Sequence, residues 1–339
     1  MNSAGFGFLL LVAAGLMNAC FALPMKYTRR WAWENTWMVF AFVALVLLPA
    51  VAAFCTLPDL AEVYRASGFT ILWHVAAFGA GWGLAQVFFG IAVEAIGIAL
   101  TFSLVLGTSA AMGALIPMLM LHSDKLHTPA GHLLLLGIAL LLVGVGICAV
   151  AGSLRDKAKP HLGDQPRKNA TPGLILAILC GALASLQNFG IAFGAPILAL
   201  ATQHGANPAN AANAIWMPLL MAGALPNLLY CAWLLRKHST GVRFAAGGVS
   251  HWFLAFVMGA FWFGSLLFYG AAVPRLGSLG PALGWPLYMS LIVVAASLVG
   301  IATGEWKQSG RRPVTIQLCG VAMLIVAIVI LARATQAMA

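Results

Sequence analysis

Apolar residues arrive along this chain in long blocks separated by short polar stretches. The blocks lie at about 4–24, 37–57, 70–92, 96–121 and 131–152, then at about 172–199, 211–234, 250–272, 278–304 and 314–332. Each is close to the roughly 20 residues that a helix needs to cross a hydrocarbon core of about 30 Å. The pattern therefore predicts an all-α integral membrane protein with ten transmembrane helices. The first block lacks a positively charged leader and is followed by PMKYTRR instead of a small-residue cleavage site, so it reads as a helix and not as a signal peptide. Between the fifth and sixth blocks, residues 153–171 (SLRDKAKPHLGDQPRKNAT) are rich in Pro, Gly and charge and read as a tether.

The third and eighth blocks carry the same text. Gly79 to Gly97 aligns with Gly259 to Gly277 without a gap, and eight of nineteen positions are identical, among them Trp82 with Trp262, Phe88 with Phe268 and Gly90 with Gly270. An internal repeat of this kind divides the chain into 1–152 and 172–339, two five-helix repeats joined by the linker 153–171. Loop charge sets their orientation. Fourteen Lys and Arg fall in the loops after the first, third, fifth, seventh and ninth blocks, and four (Arg65, Lys125, Arg275 and Arg333) on the other side. The positive-inside rule makes the richer side cytoplasmic and leaves both termini outside. Because five is odd, the second repeat enters from the opposite face, so the repeats are inverted. Secondary transporters are built this way, with a midplane site at the repeat interface.

Composition narrows the chemistry. With 62% hydrophobic and 8% charged residues the chain cannot cover a soluble surface, where charged residues run at roughly 25%. The six cysteines lie inside apolar blocks, which argues against a disulfide framework or a metal site. The net charge of +10 resides in short loops and orients the chain, implying no nucleic-acid partner. No phosphate-binding Gly loop, zinc-spaced cluster or nucleophile elbow is present, so the reading is of a carrier, not an enzyme, without cofactor or metal.

Candidate binding residues interrupt the apolar blocks. Trp82, Gln86 and Phe89 share one helical face, and the second copy offers Trp262, Ser265 and Tyr269. Gln187, Asn188, Asn227 and Trp285 are further polar or indole positions within the membrane. An indole beside an amide can stack on a sugar ring and bond its hydroxyls; taken singly, each residue is equally compatible with helix packing. Gly79, Gly83 and Gly90 form a stripe for close helix approach. No charged residue sits near the centre of any block, so the substrate reads as neutral. The carboxylates Glu34, Glu94 and Glu305 stand at helix ends, either as proton carriers or as partners of Arg29, Arg311 and Arg312.

Two stretches resemble a known family. GEWKQSGRRPVTIQLCG, from Glu305 and Trp306 through Arg311, Arg312 and Pro313, and CFALPMKYTRRWAWENTW, with Trp31, Trp33, Glu34 and Trp37, are similar to the bacterial L-rhamnose–proton symporters of the drug/metabolite transporter superfamily. The likeness includes FGAGWG in the third block and Trp285 with Met289-Ser290 in the ninth. It implies a multi-pass carrier of the bacterial inner membrane that imports L-rhamnose or a related 6-deoxyhexose with a proton as coupling ion. A uniporter or exporter of another small neutral metabolite is the alternative.

Overall fold

The computed structural model describes residues 3–96, 98–158, 170–277 and 280–336. Among these residues all regular structure is helical. Ten helices are long and apolar enough to cross a membrane: α1 Ser3–Tyr27, α2 Trp33–Thr56, α3 Leu60–Val93, α4 Leu100–Leu121, α5 Pro129–Arg155, α6 Thr171–Gln203, α7 Asn213–Lys237, α8 Gly248–Leu276, α9 Ala282–Ala302 and α10 Arg311–Ala334. Gly97, most of the tether (159–169) and the side chain of Glu94 lie outside the described residues.

Three helices depart from the simple rods that hydropathy draws. α3 starts at Leu60 instead of near residue 70, because a polar first turn is helical too; Gly68, at φ 75° and ψ 155°, then bends the chain. Only glycine occupies that region without strain. α2 contains a π turn, Val43–Leu47, just before Pro49. α6 is broken into Ala170–Ala184, Leu186–Phe193 and Ala195–Gln203, with Ser185 and Gly194 at the breaks.

The helices group into two compact units that do not follow the sequence halves. One, the first unit, comprises Met1–Leu16, Phe88–Ser185 and Val273–Ala339; the second comprises Met17–Val87 and Leu186–Ala272. In the second unit α3 crosses α7 at bare backbone: a methyl on Gly79 would overlap the Leu219 carbonyl, and one on Gly83 the Gly223 carbonyl. α8 crosses α2 at Gly259, the repeat counterpart of Gly79, where a methyl would lie 2.6 Å from a Val43 side-chain carbon. Lipid supplies no hydrophobic drive between helices, so such close approach is how they adhere. Gly90, the last glycine of the stripe, has nothing within 4 Å and takes no part. Pro218 in α7 has no N–H for the Ala214 carbonyl one turn back, and the Tyr64 hydroxyl of α3 donates to that carbonyl at 3.0 Å.

In the first unit α5 and α10 run antiparallel, with Gly137 against Leu331, Gly144 against Leu324 and Gly320 against Cys148. α4 meets α6 where Gly181 faces Thr108, and meets α9 where Gly113 faces Trp285.

Candidate functional site

The two tryptophans of the repeat meet inside the second unit. Ring centroids of Trp82 (α3) and Trp262 (α8) are 5.5 Å apart and their planes are inclined by 29°, a stacked pair. Phe40 of α2 stands edge-on to Trp262 at 6.2 Å and 87°, and Trp37 tilts against Phe40 at 4.7 Å. Gly223 of α7 brings its backbone under Trp82: a methyl there would come 2.8 Å from ring carbon Cε3. Gln86, Asn227 and these aromatic rings enclose a cavity of about 30 Å³. That is room for about two waters, at roughly 10–15 Å³ each. Each indole has one face turned to the other, so in this conformation neither can stack on a sugar from that side.

Asn227 is fully engaged with protein. Its Nδ2 donates to the carbonyls of Gly83 at 3.3 Å and Gly223 at 3.0 Å, and its Oδ1 accepts from the Trp37 indole N–H at 3.3 Å. It ties α7 to both α3 and α2, which is how a buried amide in an apolar medium is satisfied.

A second polar group stands on the short middle piece of α6. The Tyr269 hydroxyl of α8 donates to Asn188 Oδ1 at 2.6 Å, and Trp216 packs 6.3 Å from the Tyr269 ring. Gln187 Nε2 and Trp216 Nε1 are buried donors without a hydrogen-bond partner among the described residues. Buried orphan donors are rare, because each retains its desolvation cost. Gly190 and Gly194 seat this piece of α6 on Leu219 and Ile215 of α7, which places Gln187 and Asn188 beside the Trp216 turn.

Glu34 lies at the start of α2, 5% exposed. Its Oε1 accepts from the Thr240 hydroxyl at 2.6 Å and faces His238 Nδ1 at 3.2 Å. Asn35 Nδ2 donates to the Thr240 carbonyl at 3.0 Å and fixes that loop. The partner of Glu34 is thus a histidine two hundred residues away in sequence, not the nearby Arg29.

The remaining candidates belong to the first unit. Phe89 makes an edge contact with Phe102 at 4.8 Å. Trp285 donates its indole N–H to the Ser109 carbonyl at 3.1 Å, which ties α9 to α4. Glu305 pairs with Arg155 at the end of α5, 3.6 Å away, rather than with Arg311 or Arg312. These two side chains, with Trp306, Ser297 and Gln317, line a cavity of about 280 Å³. Sequence reasoning named Glu305 alone of this group. Trp306 and Gln317 stood in the stretch that carried the family resemblance, but nothing in their spacing announced a cavity.

Comparison with known proteins bears on the whole chain. A family model described as "L-rhamnose-proton symport protein (RhaT)" matches residues 1–337. An L-rhamnose-proton symporter of Salmonella typhi is 30% identical over 335 residues, 96% of each chain. One of Salmonella paratyphi B is 29% identical over the same span. A crystal structure of another protein superimposes on 96% of this chain and 94% of its own at a TM-score of 0.55 and 15% identity, a likeness of fold alone.

Proposed function

The chain belongs to the L-rhamnose-proton symport family, and from that premise we propose that it imports L-rhamnose or a related 6-deoxyhexose together with a proton. The match across residues 1–337 carries this reading. The spans, empty of central charge, and the indoles and amides within them suit a neutral polyol. The chain acts as a carrier and not as an enzyme. It resides in the bacterial inner membrane with both termini periplasmic, on the loop-charge argument. Its halves are inverted repeats. In support, Gly79 on α7 and Gly259 on α2 make corresponding crossings, and the stacked Trp82 and Trp262 are counterparts in the repeat, as residues near a two-fold axis would be.

In this reading the sugar separates the tryptophan pair. The cavity of about 30 Å³ is too small for a pyranose, so an entering sugar replaces the indole–indole contact with indole–sugar stacking. Gln86 lies beside the pair, and Gln187, Asn188 and Tyr269 sit on the outer part of the same unit, where the unpaired Gln187 amide is available to a hydroxyl. Phe89 packs on Phe102, and Asn227 and Trp285 hold helices together within their own units. Of the coupling candidates Glu34, Glu94 and Glu305, Glu34 is the one held by buried polar contacts: its carboxylate accepts from the Thr240 hydroxyl and faces His238 Nδ1.

The test is direct. In proteoliposomes without an imposed gradient, adding L-rhamnose should alkalinise the outside medium. Sugar uptake without proton movement would replace symport by uniport, and no counterflow of labelled L-rhamnose would refute this substrate.

A further inference from the structure

The cavity of the first unit has no role in the site described so far, yet it is the larger of the two and its polar lining is organised. Arg155 lies over the Trp306 ring, 5.0 Å from the centroid, and 3.6 Å from Glu305 Oε2. Gly300 makes the space into which these heads converge: a methyl on it would lie 3.3 Å from Glu305 Oε2 and 3.4 Å from Trp306 Nε1. Across from them Gln317 Nε2 donates to the Ser297 hydroxyl at 2.6 Å, and that hydroxyl donates to the Val293 carbonyl at 2.6 Å. Trp306 is 7% exposed and its indole N–H has no hydrogen-bond partner among the described residues.

We infer that this cavity is a second sugar subsite, which holds the same neutral monosaccharide at the cytoplasmic face. The inference rests on the transport reading above and on the orientation given by loop charge. Arg155 closes α5, Glu305 and Trp306 follow α9, and all three stand on the side that carries fourteen of the eighteen basic residues. Among the described residues, the charged groups lining the cavity are one guanidinium and one carboxylate, which face each other. An anion such as a phosphate would find no uncompensated cation there. A polyol finds what it needs: a planar donor, a planar acceptor for adjacent hydroxyls, an unpaired indole N–H and an amide. The volume of about 280 Å³ stands at the small end of ligand pockets, which begin near roughly 300 Å³, and suits a single sugar ring.

Sided vesicles separate this subsite from the tryptophan pair. Counterflow of labelled L-rhamnose by the full chain is measured in right-side-out and everted vesicles, for the unmodified protein, Trp306→Phe and Gly300→Ala. Trp306→Phe keeps the ring and removes the donor, while Gly300→Ala places a methyl between Glu305 and Trp306. In both, the half-saturating concentration at the cytoplasmic face should rise about tenfold, the equivalent of one lost hydrogen bond, and the periplasmic value should stay within about twofold. Unchanged values at both faces would overturn the subsite, and so would equal rises at both, which mark a general effect on the carrier. If Trp306→Phe does not yield folded protein, Gly300→Ala decides alone. If the unmodified chain shows no L-rhamnose counterflow from either face, the transport reading fails, and this one with it.

Discussion

The two cavities place tryptophan in opposite situations. In the second unit Trp82 and Trp262 satisfy each other, ring on ring, and Asn227 beside them spends its amide on two carbonyls and an indole. In the first unit Trp306 is covered by a guanidinium, lines about 280 Å³ of space and has no partner for its N–H among the described residues. A closed, self-satisfied pair must be opened before it binds, so it can discriminate strongly and be gated. An open cavity built from a matched ion pair binds with little rearrangement. If both proposed sites bind sugar, the tryptophan pair is suited to selection and the open cavity to release.

That contrast can be broken most severely at the backbone crossing beneath the tryptophan pair. Gly83→Leu should prevent α3 from seating on α7, since its side chain would enter the Gly223 carbonyl; the expected result is no monodisperse protein by size-exclusion chromatography. Gly90→Ala, on the same stripe but with open space around it, should purify normally. The next largest effect falls on the pair itself. Trp82→Ala should weaken L-rhamnose binding by about 30- to 100-fold, or 2–3 kcal/mol, as for a central aromatic anchor, while the protein still inserts; normal binding would return Trp82 to packing. Glu34→Gln sharpens the contrast differently: counterflow should continue within a few-fold while sugar-induced alkalinisation disappears. Alkalinisation that persisted would move the proton to another carboxylate. Asn227→Leu should cost about 1–2 kcal/mol of stability, the upper range for interhelical bonds in membranes, read as a lowered thermal midpoint. The smallest effect is expected across the Arg155–Glu305 pair, which is partly exposed: Arg155→Gln should change stability by about 0.5 kcal/mol or less.

Much of the fold was legible because lipid enforces it. All ten spans follow from block length. Hydropathy does not report which helices touch, so the division into units that mix the two halves stayed hidden. So did the start of α3, where Glu62 and Arg65 disguise a helical turn. The breaks in α6 had only weak signals, Ser185 and the Gly194–Pro196 run. At the candidate site, the pattern flagged Trp82 and Trp262 but could not say that they face each other. It placed Glu305 near Arg311 and Arg312, whereas the chain turns through Gly304, at φ 78°, and Gly310, at φ 77°, and the ion pair forms with Arg155. Proximity in sequence is a poor guide to charge pairing when a loop reverses between the partners.

The bond from Tyr64 to the Ala214 carbonyl makes history matter for this chain. Pro218 supplies no helical donor, and the tyrosine supplies one from another helix. Were Pro218 replaced first by a residue with an N–H, the carbonyl would gain a helical partner and the tyrosine would become dispensable. Were Tyr64 lost first, a buried carbonyl would be left with no donor in a medium that supplies none. Of the two orders in which descendants could lose this brace, only the one beginning at Pro218 avoids a damaged intermediate, so Tyr64→Phe should be harmful with Pro218 in place and nearly silent in Pro218→Ala.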